Sequence, residues 1–125
     1  MKEYKSKQIT IKDGTLITGY EGEYILSFIE KSDSYYEGDI LKKWIDDLGN
    51  VETIFDIGAN IGNHTLYFAT HTEAKHIYSF EPYNANFTLL VENIERNKLA
   101  DRVSAYNMAM GEKQGKVSLQ SIDEE

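Results

Sequence analysis

The sequence of 125 residues is long enough for one domain, and its 41% hydrophobic and 27% charged residues are typical of a globular protein. A formal net charge of −8 argues against partners rich in phosphate, such as nucleic acid or an anionic membrane surface. The chain has no cysteine, no signal peptide and no apolar stretch long enough to span a membrane. We therefore expect a soluble, cytoplasmic protein that binds neither nucleic acid nor membranes.

The first quarter of the chain is predicted to form a β-meander. Apolar and β-branched residues at 8–11 and 16–18 flank the pair Asp13-Gly14, which is a strong hairpin signal because glycine accepts positive φ. The run Tyr24-Ile25-Leu26-Ser27-Phe28-Ile29 is rich in aromatic and β-branched residues and predicts a further strand. We assign residues 1–33 to this meander, which precedes the main fold.

The remainder, residues 34–125, alternates between helical and strand patterns. Short apolar runs predict strands at 53–57, 76–80 and 103–108, and a last strand at 116–120. Apolar spacing predicts helices before the first of these strands and between the second and the third, and the helix face that carries Trp44 is expected to be core. Such alternation indicates an α/β fold with a parallel sheet and right-handed crossovers.

The most informative segment is Phe55-Asp56-Ile57-Gly58-Ala59-Asn60-Ile61-Gly62-Asn63-His64-Thr65, in which an apolar strand leads into a glycine-rich turn and then a helix. A loop of this kind lets a ligand approach the backbone beside the amides of a helix N-terminus. Glu81 stands nineteen residues after Gly62, at the end of the next predicted strand. A carboxylate at that position is suited to bind the ribose hydroxyls of a nucleotide.

The loop chemistry narrows the choice of nucleotide. A dinucleotide fingerprint has glycine at its first, third and sixth positions, but this loop has Asn60 and Asn63 at the last two. Residues 53–70 contain no lysine or arginine, which argues against a phosphate-binding loop. A loop without basic residues beside Asp56 suits a cofactor without phosphates that carries positive charge, such as S-adenosylmethionine. A nicotinamide-dependent oxidoreductase remains a weaker alternative.

The 55–65 segment, followed by Phe80-Glu81-Pro82, resembles the FkbM family of S-adenosylmethionine-dependent methyltransferases. A later stretch of that family is similar to Asn107-Met108-Ala109-Met110-Gly111 followed by Gly115-Lys116-Val117. The resemblance implies a Rossmann-like class I methyltransferase fold and O-methylation of a small-molecule or sugar hydroxyl. It also implies cofactor contacts. The methionine part would be held by Asp56, Gly58, Asn60 and Gly62, the ribose by Glu81, and the adenine by Asn107 and Met108.

The resemblance covers about residues 51–120. Members of that family continue through a fourth core strand and a substrate-facing half, so we expect this chain to be truncated after the third core strand. No catalytic residue is assigned, and because the three histidines do not share a helical face, no metal site is predicted. Residues 53–57 would then form an exposed strand edge, which favours a homo-oligomer. A non-catalytic remnant that acts as a dimerising or binding module is the alternative function.

Overall fold

The computed structural model describes residues 5–111. Within that range the elements in chain order are β1 (Ser6–Thr10), β2 (Leu16–Tyr20), α1 (Tyr24–Ser32), α2 (Gly38–Leu48), β3 (Thr53–Ile57), α3 (Asn63–His71), β4 (His76–Phe80), α4 (Asn84–Arg96) and β5 (Val103–Tyr106). The strand predicted at 116–120, and the Gly115-Lys116-Val117 stretch, lie outside the described residues.

The predicted hairpin is confirmed. Strands β1 and β2 pair antiparallel, and the connecting turn places Gly14 at a φ of 93°. The Asp13 carboxylate accepts a hydrogen bond from the backbone N–H of Thr15 at 2.9 Å, which closes the turn locally. Asp13 and Gly14 therefore form the turn for the reasons that their sequence signal indicated.

The prediction of a third strand in the meander is wrong, because residues 24–32 form helix α1. The Glu23 carboxylate caps this helix by accepting a hydrogen bond from the Leu26 N–H at 3.1 Å. Leu26 and Ile29, three residues apart, are buried on the same helical face. Helical capping and packing thus override the strand preference of the individual residues, and the N-terminal unit is a hairpin followed by a helix.

The main sheet is parallel, with the order β3-β4-β5, and α3 and α4 form the crossovers. One face of the sheet is buried, with Ile77 and Val103 in a cluster that includes residues of both crossover helices. On the other face Phe55 and Ile57 are 65% and 61% exposed. In the described part of the chain β3 lies at an edge of the sheet, as the sequence predicted. The α/β class and the parallel arrangement are therefore confirmed.

Helix α2 forms where the apolar spacing placed it, but its role in the core is smaller than expected. Leu41 is its buried residue, and Ile45 packs partly against the core. Trp44 is 51% exposed, and Ile40 and Leu48 are exposed too, so the expectation that the Trp44 face is core is wrong. Periodicity identifies which residues share a helical face, but among residues 5–111 the rest of the fold covers only one side of that face.

Candidate cofactor site

The glycine-rich loop lies at the carboxyl end of the parallel sheet and is held against strand β4. The backbone N–H groups of Gly58 and Ala59 both donate to the carbonyl of Phe80, each at 2.9 Å. Gly58, Asn60 and Gly62 have positive φ angles of 78°, 57° and 104°. Asn60 thus adopts the left-handed conformation that asparagine tolerates better than most residues.

Glu81 is brought to this loop, as its spacing predicted. It follows the last residue of β4, it is only 6% exposed, and its Oε1 accepts a hydrogen bond from the Asn60 N–H at 2.8 Å. Its Oε2 accepts another from the Tyr83 N–H at 2.8 Å. Because each carboxylate oxygen has a second lone pair, Glu81 can brace the loop and still accept hydrogen bonds from ligand hydroxyls.

Asp56 lies beneath the loop rather than on an open surface. Its Oδ2 accepts a hydrogen bond from the hydroxyl of Thr65 at 2.6 Å, and the same hydroxyl lies 2.7 Å from Oγ of Ser79. All three side chains are buried. Burial raises the pKa of Asp56 above its usual value of 3.8, although the Thr65 hydrogen bond and nearby His64 act in the opposite direction. Asp56 therefore fixes the first turn of α3 beneath the loop.

The two residues predicted to lie near the adenine follow β5. The side-chain amide of Asn107 donates to the backbone carbonyls of Glu81 and Pro82, at 3.0 and 3.1 Å. Asn107 thus joins the ends of β4 and β5, while Met108 is 49% exposed beside it. All seven predicted site residues therefore lie in loops or strand ends at the carboxyl edge of the sheet.

Two contacts near the loop were not anticipated from the sequence. The side chain of Asn63 binds both backbone groups of Tyr36, since Oδ1 accepts from its N–H and Nδ2 donates to its carbonyl, each at 2.8 Å. His64 lies 3.4 Å from the carboxylate of Glu37. These contacts attach the α1–α2 connection to the start of α3. The sequence signal for these contacts is the polar pair Asn63-His64 directly after Gly62, to which the glycine-rich motif assigns no role.

The site fits S-adenosylmethionine on structural grounds. A Cβ added to Gly58 would meet no heavy atom within 4 Å, so a ligand can approach the loop backbone there. Two buried carboxylates, Asp56 and Glu81, lie at the loop, and residues 53–70 carry no lysine or arginine. This chemistry favours a cofactor with ribose hydroxyls and positive charge over one with a pyrophosphate. The fold and the site together define a Rossmann-like domain that binds a nucleoside cofactor.

Comparisons with known proteins identify the family. Residues 42–122 match the family model described as the TRM5/TYW2 methyltransferase domain. The tRNA(Phe) (4-demethylwyosine(37)-C(7)) aminocarboxypropyltransferase of Pyrococcus horikoshii is 47% identical over 57 residues, which are 46% of this chain and 20% of that protein. The chain belongs to the TRM5/TYW2 family of S-adenosylmethionine-dependent methyltransferase domains, and S-adenosylmethionine is the cofactor of this family.

Solved structures agree with this assignment. The chain is similar to P. horikoshii TYW2 in complex with MeSAdo, with 25% identity and a TM-score of 0.58, over 79% of this chain and 34% of that one. The fold is also that of M. jannaschii TYW2 in complex with AdoMet, with 22% identity and a TM-score of 0.59, over 84% of this chain and 44% of that one. This chain therefore spans less than half the length of these relatives, from 20% to 44% of each.

These findings correct two expectations from the sequence. The narrower assignment to the FkbM family is not supported, and the match is to the TRM5/TYW2 domain. The expectation of a small-molecule or sugar acceptor, with nucleic acid excluded, is wrong, because the relative is named for a modification of tRNA(Phe). Net charge describes the average field of a chain and not its specific contacts, so it cannot exclude an acceptor.

Among residues 5–111 no helix is both long and apolar enough to cross a membrane. In the same range, no three histidine, aspartate or glutamate side chains are grouped so that they could hold a metal ion.

Proposed function

We propose that this chain forms the cofactor-binding part of an enzyme that transfers a group from S-adenosylmethionine to tRNA. The observation that carries the cofactor part is the hydrogen bond between the Glu81 carboxylate and the Asn60 N–H. This bond brings the glycine-rich loop and Glu81 together in one site. The buried carboxylate keeps lone pairs that can accept hydrogen bonds from the ribose hydroxyls. Family membership over residues 42–122 supports the same conclusion.

Within this site, we assign each predicted residue to one part of the cofactor. Glu81 accepts hydrogen bonds from the ribose hydroxyls, and the backbone from Gly58 to Gly62 holds the methionine part. Asp56 acts from beneath the loop by holding α3 through Thr65 and by adding negative charge near the sulfonium. Asn107 and Met108 flank the adenine, and Asn107 also joins β5 to the Glu81 backbone.

The acceptor is proposed from the relatives. The curated relative is named for the transfer of an aminocarboxypropyl group to a carbon of a modified base in tRNA(Phe). A net charge of −8 opposes nonspecific attraction to phosphate, so we expect weak affinity of this chain for tRNA by itself. Specificity would then reside in contacts to the acceptor base, for which orientation matters more than charge.

Bound S-adenosylmethionine supplies a sulfonium whose attached carbons are electrophilic. It would donate either the methyl or the aminocarboxypropyl group to a nucleophilic acceptor atom, and the thioether formed from the sulfonium would be the leaving group in both cases. The contribution of this chain is to hold the cofactor rigidly. The Glu81 and Phe80 contacts fix the loop before any acceptor arrives.

The acceptor proposal is tested by transfer of label to RNA. The chain is incubated with total tRNA and with S-adenosylmethionine labelled either in the methyl group or in the methionine carboxyl group. If this part of the enzyme is sufficient for transfer, label enters the tRNA from one of the two donors, which identifies the transferred group. Ribosomal RNA serves as the control acceptor and should remain unlabelled. If the chain binds the cofactor but labels neither RNA, the tRNA proposal is contradicted for this chain.

A further inference from the structure

Two asparagines on helix α4 and its C-terminal end attach the N-terminal hairpin to the rest of the fold. Oδ1 of Asn97 accepts from the Leu16 N–H at 2.9 Å, and its Nδ2 donates to the Leu16 carbonyl at 2.7 Å. Asn93 makes the same pair of bonds to Thr18, at 2.8 and 2.9 Å. Each side-chain amide thus binds β2 as a neighbouring strand would, and the two positions are about one helical turn apart.

Asn93 makes one contact that Asn97 does not. Its Nδ2 also donates to the carbonyl of Ile61, at 2.8 Å, and Ile61 is part of the cofactor loop. Asn93 is fully buried. It bonds to β2 and to the loop with the same amide group, so the hairpin and the loop share one anchor.

The same face of α4 supports the next loop residue. A Cβ added to Gly62 would come within 3.0 Å of Cδ1 of Leu90, and Leu90 is three residues before Asn93. The helix therefore contacts the loop by van der Waals packing at Gly62 and by a hydrogen bond at Ile61. Asn60, whose N–H binds Glu81, directly precedes these two residues.

We propose that Asn93 is a positioning residue for the cofactor loop, and that through it the hairpin helps to set cofactor affinity. This inference rests on the proposed function of the loop. Asn93 is not a cofactor contact, because its side chain is completely buried and both donor and acceptor atoms are bound to backbone. It acts by fixing the Ile61 carbonyl, which keeps the Asn60 N–H directed at Glu81. The hairpin, residues 6–20, lies outside residues 42–122, which match the family model.

The two asparagines make the same pair of bonds to β2 but differ at Ile61 and in burial, since Asn93 is fully buried and Asn97 is half-buried. In Asn93→Asp and Asn97→Asp, the Oδ1 acceptor for the β2 N–H is kept and the side-chain N–H donors are lost. Both variants weaken the hairpin attachment, but only the first releases the loop. We expect Asn93→Asp to weaken S-adenosylhomocysteine binding about tenfold or more, and Asn97→Asp to change it by less than about twofold. Equal losses in both variants would overturn the proposal. If Asn93→Asp does not fold, Asn93→Ala and Asn97→Ala, which add no charge and remove the same two groups at each position, replace the aspartate pair.

A second measurement separates this inference from the proposed function, because it needs no cofactor. Amide hydrogen exchange is followed at Asn60 and Gly62 in the ligand-free chain. We expect faster exchange at both positions in Asn93→Asp than in Asn97→Asp, and equal exchange would contradict the positioning role. If the unmodified chain does not bind S-adenosylhomocysteine, the proposed function fails, while the exchange comparison still decides whether Asn93 holds the loop.

The unmodified chain offers a third readout that requires no substitution. Addition of S-adenosylhomocysteine should shift the side-chain amide resonances of Asn93 and leave those of Asn97 in place, because only Asn93 contacts the loop. If binding shifts neither pair of resonances, Asn93 is not coupled to the cofactor and the proposal is wrong.

Discussion

Glu81→Ala should weaken binding of S-adenosylhomocysteine by at least about tenfold and lower the free energy of unfolding by about 1–3 kcal/mol. The loss of binding follows from the missing carboxylate, which we assign to the ribose hydroxyls. The loss of stability follows because the N–H groups of Asn60 and Tyr83 both bind this carboxylate. Calorimetric titration and denaturant unfolding measure the two effects separately.

Two variants serve as controls for this substitution. Glu81→Gln keeps one oxygen as an acceptor for the Asn60 N–H but places a donor group on the other side, so we expect an intermediate loss of affinity. Glu73→Ala removes an exposed carboxylate just after α3 and should change stability by less than about 0.5 kcal/mol. A folded Glu81→Ala protein that binds S-adenosylhomocysteine as tightly as the unmodified chain would contradict the assignment of Glu81.

Thr65→Val is the second substitution with a large expected effect. The valine keeps the shape of threonine but removes the hydroxyl that donates to buried Asp56 at 2.6 Å. Hydrogen bonds to charged groups contribute about 1.5–3 kcal/mol, so we expect a loss of stability of that order at neutral pH. Thr88→Val is the control, because the Thr88 hydroxyl lies on an exposed part of α4 and bonds to the carbonyl of Asn84.

The cost of Thr65→Val should depend on pH in a defined direction. Burial raises the pKa of Asp56 in the folded protein above 3.8, so the folded state holds this proton more strongly than the unfolded state. The stabilisation from the protonated carboxyl is therefore complete below pH 3.8 and is lost as pH rises through the raised pKa. Loss of the Thr65 hydrogen bond raises that pKa further, so the variant should lose more stability than the unmodified chain as pH rises.

Asp56→Asn isolates this effect. With no carboxylate at position 56, Thr65→Val should cost less than it does beside Asp56, and its cost should not vary between about pH 4 and pH 7. Denaturant unfolding of the two single variants and the double variant across that range gives the comparison. If Thr65→Val costs the same in the Asp56→Asn background as in the unmodified chain, the hydroxyl does not stabilise the carboxylate.

Much of the sheet and the position of the site could be predicted from local sequence. Strands β3 and β4 are short apolar runs bounded by polar residues, and the turn after β3 requires residues that tolerate positive φ. Gly58, Asn60 and Gly62 satisfy that requirement, and Glu81 follows the next strand at the distance that places it beside them. These features depend on neighbouring residues, which is why a single sequence reveals them.

The features that were missed depend on contacts between distant residues. Helix α1 is stabilised by the Glu23 cap and by burial of Leu26 and Ile29. An apolar run of six residues does not by itself distinguish a helix from a strand. Asn93 contacts Ile61 from 32 positions away along the chain. Asp56 was expected to face the ligand, and its burial beneath the loop is set by the packing of α3. The acceptor class depends on residues and partners that net charge does not describe.

The most direct test is calorimetric titration of the 125-residue chain with S-adenosylhomocysteine, beside the same titration with NAD. The product keeps the ribose, adenine and amino-acid groups that the site is proposed to hold, and NAD tests the dinucleotide alternative. We expect one S-adenosylhomocysteine bound per chain, with higher affinity than NAD. Absence of S-adenosylhomocysteine binding by a folded chain, or tighter binding of NAD, would contradict the assignment of this loop as an S-adenosylmethionine site.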